Sequence, residues 1–285
     1  MKIDNIKLST LTDNADLLTF AFRDTRMIVP YVVKTLTGLD ATDVISNFSG
    51  FGANSLAFFD PELADRTLVL RLGLNPTFRN AKTYSSLRDD LYRLIAPDRS
   101  GKIVVYFCLG GDKIASVVGK ITKLEANHFE STPEAQITVK CDSGLLRSPT
   151  INVIDVEPFG REFFLTDCIS TAPHGMELDV RFDEPSAEFV FKSPDAVFSV
   201  RRKLDNNTPG FQTGDIIHIS SERDNRFVRL SVFGGGGGLG TSIIEGVEGF
   251  RGSQWPIIYP GRNKFELVTK STVVGLRYKE AWWGI

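Results

Sequence analysis

The chain has 285 residues, 42% hydrophobic and 24% charged, the make-up of a globular protein with room for two domains or one large one. Lys and Arg total 33 against 35 Asp and Glu, a net charge of −2, which weighs against binding nucleic acid by neutralising phosphates over a broad face. No apolar run approaches the ~18 residues of a membrane span, and the start MKIDNIKLSTLTDN lacks the apolar stretch of a signal peptide, so synthesis in a cytoplasm is expected.

In chain order the pattern is almost entirely β, in keeping with 21 Phe against only three Met and three Trp. TLVLRLGL (67–74), KIVVYFCL (102–109), IASVVGKITKLEA (114–126) and AQITVKCD (135–142) are rich in Val, Ile, Leu and Thr and bounded by turn residues. GGD at 110–112 predicts a tight turn, so 102–126 reads as a long antiparallel hairpin. One segment differs: TYSSLRDDLYRLIAP (83–97) places Tyr84, Leu87, Leu91, Leu94 and Ile95 on one helical face, with Thr83 as cap and Pro97 as stop. A lone amphipathic helix among strands packs its stripe on a sheet face.

A boundary is expected near SGLLRSPT (143–150), giving domains 1–148 and 149–285. Beyond it, short turn-bounded runs such as MELDVRFD, AEFVFKS, DIIHISSE, RFVRLSVF and KFELVTK predict a β-sandwich. MELDVRF puts Met176, Leu178, Val180 and Phe182 on one side. Cys108, Cys141 and Cys168 lie in apolar or strand-like contexts without C-x-x-C spacing, so they read as reduced thiols filling core positions. His128, His174 and His218 share no ligand spacing with them, which weighs against zinc.

The glycine run 234–238 calls for a chemical test, because Gly235, Gly237 and Gly240 satisfy G-x-G-x-x-G after a predicted strand. A dinucleotide turn needs a helix after the third glycine, a βαβ unit and an acidic residue further on. TSIIEGVEGFRGSQWP supplies none of the three, since Gly246, Gly249, Gly252 and Pro256 interrupt any helix. No Lys-Ser/Thr follows the glycines, so a P-loop is excluded. The run reads as a flexible inter-strand loop, or one ordered by a partner.

Nucleophile motifs are equally absent: no G-x-S-x-G stands on a strand-to-helix elbow. His174 and His218 read as structural or surface residues. Asp89-Asp90 and Asp183-Glu184 read as solvated acids, and RRK at 201–203 as a solvated face or salt-bridged contact. No residue is singled out as catalytic, cofactor-binding or metal-ligating, and no cofactor is expected. Such a residue inventory points to a binding or assembly protein rather than an enzyme.

The closing segment WPIIYPGRNKFELVTKSTVVGLRYKEAWWGI (255–285), with Trp255, Pro260-Gly261, Asn263, Arg277-Tyr278 and Trp282-Trp283, resembles the last strands of phage distal tail proteins. TGDIIHISSERDNRFVRL (213–230), with Gly214-Asp215 at its turn, resembles the strand pair of that family's galectin-like domain. NAKTYSSLRDDLYRLIAPDRSGKIVVYF resembles its helix and following strands, and VGKITKLEANHF…AQITVKCD the hairpin that ends its first domain. The resemblance implies a mainly β fold: an N-terminal ring-forming domain, then a galectin-like β-sandwich. It also implies a hexameric ring at the tail tip of a long-tailed phage, contacting tail tube, tape-measure and hub proteins, in some relatives receptor-binding proteins, with DNA only as passing cargo. A competing expectation is a carbohydrate-binding β-sandwich acting in host-cell adhesion, with Trp255, Trp282 or Trp283 stacking on sugar rings.

Overall fold

The computed structural model describes residues 3–12, 15–22, 29–40, 44–45, 48–50, 56–58, 62–76, 83–97, 101–127, 133–154, 162–201, 210–222, 225–232, 241–243, 248–249 and 254–285. The chain divides into two compact units, Met1–Pro149 with Trp282–Ile285, and Thr150–Ala281. The closing residues 282–285, grouped by sequence with the second half, thus belong to the first unit.

The first strands are β1 (Asn5–Thr10), β2 (Asp16–Phe22), β3 (Tyr31–Thr37), β4 (Val44–Ile45), β5 (Phe48–Gly50), β6 (Leu56–Phe58), β7 (Glu62–Leu63) and β8 (Thr67–Leu74). Helix α1 (Tyr84–Ile95) precedes β9 (Ile103–Leu109), β10 (Asp112–Ala126), β11 (Glu134–Cys141) and β12 (Leu146–Arg147). The second unit holds β13 (Asn152–Ile154), β14 (Glu162–Cys168), β15 (Glu177–Phe182), β16 (Glu188–Ser193), β17 (Ala196–Arg201) and β18 (Ile216–Ser220). It continues with β19 (Phe227–Ser231), β20 (Thr241–Ile243), β21 (Glu248–Gly249), β22 (Gly261–Leu267) and β23 (Ser271–Tyr278); β24 (Ala281–Trp282) closes the series.

In the first unit a nine-stranded sheet runs β11-β8-β3-β2-β1-β9-β10-β12-β24. Strand β10 pairs with β9 through Asp112–Gly119 and then with β11 through Gly119–Ala126, so the ladder returns to its starting strand and closes. Closure removes the unpaired edges that an open sheet would carry. The predicted hairpin is present: Leu109 faces Asp112 across Gly110 and Gly111, at φ 62° and 97°. Positive φ at both turn residues is what a two-residue turn needs to match strand twist, and glycine adopts it without strain. Strand β8 alternates, with Leu68, Leu70 and Leu72 fully buried, as the period of two dictates.

Helix α1 begins with a reciprocal cap. Thr83 Oγ1 accepts from the Ser86 N–H at 3.2 Å, and Ser86 Oγ accepts from the Thr83 N–H at 3.0 Å. Leu87, Leu91 and Ile95 recur once per turn and are fully buried, each contributing about 1.5–3 kcal/mol. Tyr84 and Leu94, expected on the same face, are 49% and 38% exposed. The buried stripe is one residue wide per turn: Tyr84 lies in the first turn, before the stripe begins, and Leu94 falls on its flank.

Tyr31, in β3, donates from its hydroxyl to the Leu87 carbonyl at 2.9 Å. Burial, then the nearby Asp90 charge, pushes its phenol up to about 12, with Arg93 opposing. The neutral phenol is favoured in the folded state, so its stabilisation is whole below the ordinary tyrosine value near ~10 and is lost as pH rises through the folded one. Thermal melts should therefore show about 2–3 kcal/mol of stability disappearing across that window. Tyr31→Phe should flatten this alkaline loss while costing about 1 kcal/mol at neutral pH through the missing hydrogen bond.

The second unit is an antiparallel sandwich. A six-stranded sheet, β13-β23-β15-β18-β19-β20, and a five-stranded sheet, β14-β22-β16-β17-β21, contribute the two sides of one core. Met176, Leu178, Val180 and Phe182 all point into it, as the alternation predicts. Phe163, Phe182, Phe189, Phe191, Phe198, Phe211 and Phe265 fill it, which explains much of the phenylalanine enrichment. Phe182 stacks on Phe211 at 4.4 Å between ring centres, and Phe191 on Phe265 at 5.6 Å. Gly214 turns at φ 88°, and buried Asp215 accepts from the Gln212 N–H at 2.9 Å, fixing the turn before β18.

Candidate functional site

Side chains facing away from the sandwich core on the six-stranded sheet converge on one polar cluster. The register sets it: Gly275 of β23 lies opposite Asp179 of β15, Asp179 opposite His218 of β18, and His218 opposite Arg229 of β19. A neighbouring row runs Arg277, Glu177, Ser220 and Phe227. Because alternate residues share a face, the inward partners Leu178, Ile219, Leu230 and Leu276 are buried while these rows, the fully buried Ser220 apart, look outward. From these rows Glu177, Asp179, His218, Phe227, Arg229 and Arg277, with Ser231 beside them, line a cavity of about 330 Å³.

Hydrogen bonds hold the polar groups in fixed orientations. His218 Nδ1 is 2.7 Å from Asp179 Oδ1, and His218 Nε2 is 3.0 Å from Ser231 Oγ. An ionised carboxylate can only accept, so Nδ1 carries a proton; with the ring neutral, Nε2 then accepts from the Ser231 hydroxyl. Arg277 forks between two acids, with Nε 3.2 Å from Glu177 Oε2 and an Nη 2.8 Å from Asp179 Oδ2. Arg229 lies over the Phe227 ring, its guanidinium carbon 4.2 Å from the ring centre. Gly275 lets the Asp179 side chain lie close over its strand, for a Cβ there would stand 3.1 Å from Asp179 Oδ2.

Serine, histidine and aspartate are thus linked in the order of a hydrolase relay. Geometry beyond the relay is missing. Ser231 lies within a regular strand whose backbone is paired with β18 on one side and β20 on the other. Its main-chain groups are therefore engaged in the ladder rather than turned toward an oxyanion. What remains is an ordered array of donors and acceptors suited to binding.

Other sequence-derived candidates fall elsewhere. His174 is buried, with Nδ1 3.2 Å from the Ala172 carbonyl and its backbone bridged to Ile258. Asp90 pairs with Arg93 at 2.8 Å, Glu184 with Lys270 at 2.7 Å, and Arg201 with Glu188 at 3.1 Å. All three cysteines are free and buried. Burial pushes the Cys141 thiol up to about 12 against the pull of Arg66, so it supplies no thiolate. Trp255 packs against the second core, 5.3 Å from Phe198, and Trp282 against the first. His128 and the glycine run 234–238 lie outside the described residues. Among the described residues no cluster of His, Cys, Asp and Glu could hold a metal ion, and no helix is long and apolar enough to cross a membrane.

Asp179, Ser231 and Arg229 were invisible as site residues in the sequence, where each reads as one polar position in an alternating strand. Only the cross-strand register joins them. Arg277, one of the residues in the closing segment that resembles distal tail proteins, is the exception.

A closed β unit with a helix, followed by an antiparallel β-sandwich, is a fold shared with a phage distal tail, or Dit, protein. One solved structure with this likeness is the Dit protein of phage SPP1, described as a paradigm of the hub adsorption apparatus in phages infecting Gram-positive bacteria. It superposes with a TM-score of 0.58 at 14% identity, over 96% of this chain and 98% of that one, which establishes a shared fold. Two structures of the phage p2 baseplate in its activated conformation, with Ca and with Sr, give TM-scores of 0.41 and 0.39 at 9% and 8% identity. Each covers 98% of both chains, but scores that low do not by themselves establish a common fold. No protein-family model and no curated protein matches the chain.

Proposed function

We propose that this chain is a non-enzymatic structural component of a long-tailed bacteriophage, a distal tail protein of the tail tip. The observation that carries the reading is the end-to-end likeness to the SPP1 Dit fold across both units. In this reading six copies form a ring that joins the tail tube to the hub, contacts the tape-measure protein, lets DNA pass and supports host attachment, with receptor-binding proteins as further partners. A cyclic ring needs two different faces of one protomer to meet. Near-neutral charge, −2 over 285 residues, limits repulsion between packed copies. Among the described residues, strands β13 and β20 end the six-stranded sheet and offer edges for strand addition.

Light scattering and negative-stain imaging of the purified chain, alone and co-expressed with the tail tube protein of its phage, test the reading. The expected result is a particle of six copies around a central hole. A chain that stays monomeric in both preparations would overturn it.

A further inference from the structure

We propose that the cluster around Asp179 and His218 is a binding site for a neutral polyhydroxylated ligand, a saccharide, held edge-on by Arg277, Glu177 and Ser231 against the Phe227 ring. The charges in the cavity decide between ligand classes. Glu177 and Asp179 are matched by Arg229 and Arg277, so the formal sum is zero with His218 neutral. A phosphate or carboxylate would meet two carboxylates already bound to Arg277, and a cation would meet two guanidiniums. A ligand carrying either full charge is disfavoured by one half of the site.

A hydroxyl group has the opposite relation to such a surface. It donates and accepts at once, and the site presents acceptors and donors side by side in fixed positions. Hydrogen bonds to charged partners are the strong ones. The relay from Asp179 through His218 fixes the Ser231 hydroxyl, and the Arg277 fork fixes Glu177, so little ordering is left for the ligand to impose. Phe227, half-buried and covered in part by Arg229, supplies the apolar flank on which the C–H face of a sugar ring packs. The volume, about 330 Å³, lies at the small end of ligand pockets and suits a short saccharide rather than a polymer-filled groove.

Sugar binding does not depend on ring assembly and is tested on the full chain in solution. Saturation-transfer NMR with the methyl glycosides of glucose, galactose, mannose, rhamnose and N-acetylglucosamine should give millimolar binding for at least one sugar. Phe227→Ala and Arg277→Lys should each weaken it at least ~10-fold, the second because an ammonium cannot reproduce the fork. Circular dichroism and melting check that both variants stay folded, and Phe227→Ala alone suffices if Arg277→Lys does not. Inorganic phosphate is the anionic control. No binding by any sugar, sugar binding untouched by both variants, or phosphate binding at the same residues would each overturn the proposal.

Discussion

Replacing Arg66 with alanine is expected to cost the first unit about 3–5 kcal/mol, the usual penalty for breaking a buried charged network. Arg66 is 1% exposed, the largest fully buried side chain among the described residues. Its Nε and one Nη donate to the Gly144 carbonyl at 3.2 and 2.8 Å, and the other Nη donates to the Asp40 carbonyl at 2.9 Å. It also donates to the carbonyls of Gly38 and Trp283. Burial pulls the guanidinium's pKa down, with Cys141 and Asp40 opposing. Alanine would leave four carbonyls without their donor and open a void. Arg66→Lys should recover little, since one compact ammonium cannot span acceptors arranged around a five-donor fork. Urea denaturation followed by two-dimensional NMR reads the outcome directly: the transition of residues 1–149 moves to lower urea while that of 150–281 stays. An unshifted first transition would mean that water replaces the guanidinium at these carbonyls and that the network adds nothing to stability.

Gly119→Ala is expected to cost about 2–4 kcal/mol, in the range of core overpacking. Gly119 is the residue at which β10 changes partners, facing Ile103 on one side and Cys141 on the other. A Cβ there would stand 2.6 Å from the Lys140 carbonyl oxygen and 3.0 Å from the Cys141 Cα. Both are backbone atoms of the closing strand, so relief requires moving the ladder rather than rotating a side chain. Gly101→Ala is the matched control, because nothing lies within 4 Å of its Cβ position. It should change stability by no more than about 0.5 kcal/mol. Equal melting temperatures for the two variants would show that the closed sheet is looser at the corner than its register implies.

Much of the architecture was legible where a period was strong. The alternation in TLVLRLGL, the Gly110-Gly111 turn and the cap at Thr83 each identify a local element, and each is present. Closure of the first sheet was not legible from the periodicity, in which β10 reads as one partner of a hairpin: the pairing of its second half with β11 came only as what the resemblance implies, and nothing local announces that β11 goes on to pair with β8. Arg66 shows the same limit. A charged residue just before a strand reads as surface, yet its acceptors come from positions 38, 40, 144 and 283. The binding cluster fails for a related reason, since Asp179, His218 and Ser231 sit on three strands and acquire meaning only from register. Searches for motifs find chemistry that is contiguous in sequence, and this site is not.

The return of residues 282–285 to the first unit bears on the order of events during synthesis. A growing chain emerges from its N-terminus, and domains generally fold as they appear. The Trp283 carbonyl that receives a hydrogen bond from Arg66 is translated only after the whole of Thr150–Ala281. The unit encoded first therefore waits for residues 282–285, with Arg66 short of one acceptor until they arrive. The sandwich is under no such delay, since every residue of the second unit is made before Trp282. The half that starts first is thus the half that finishes last.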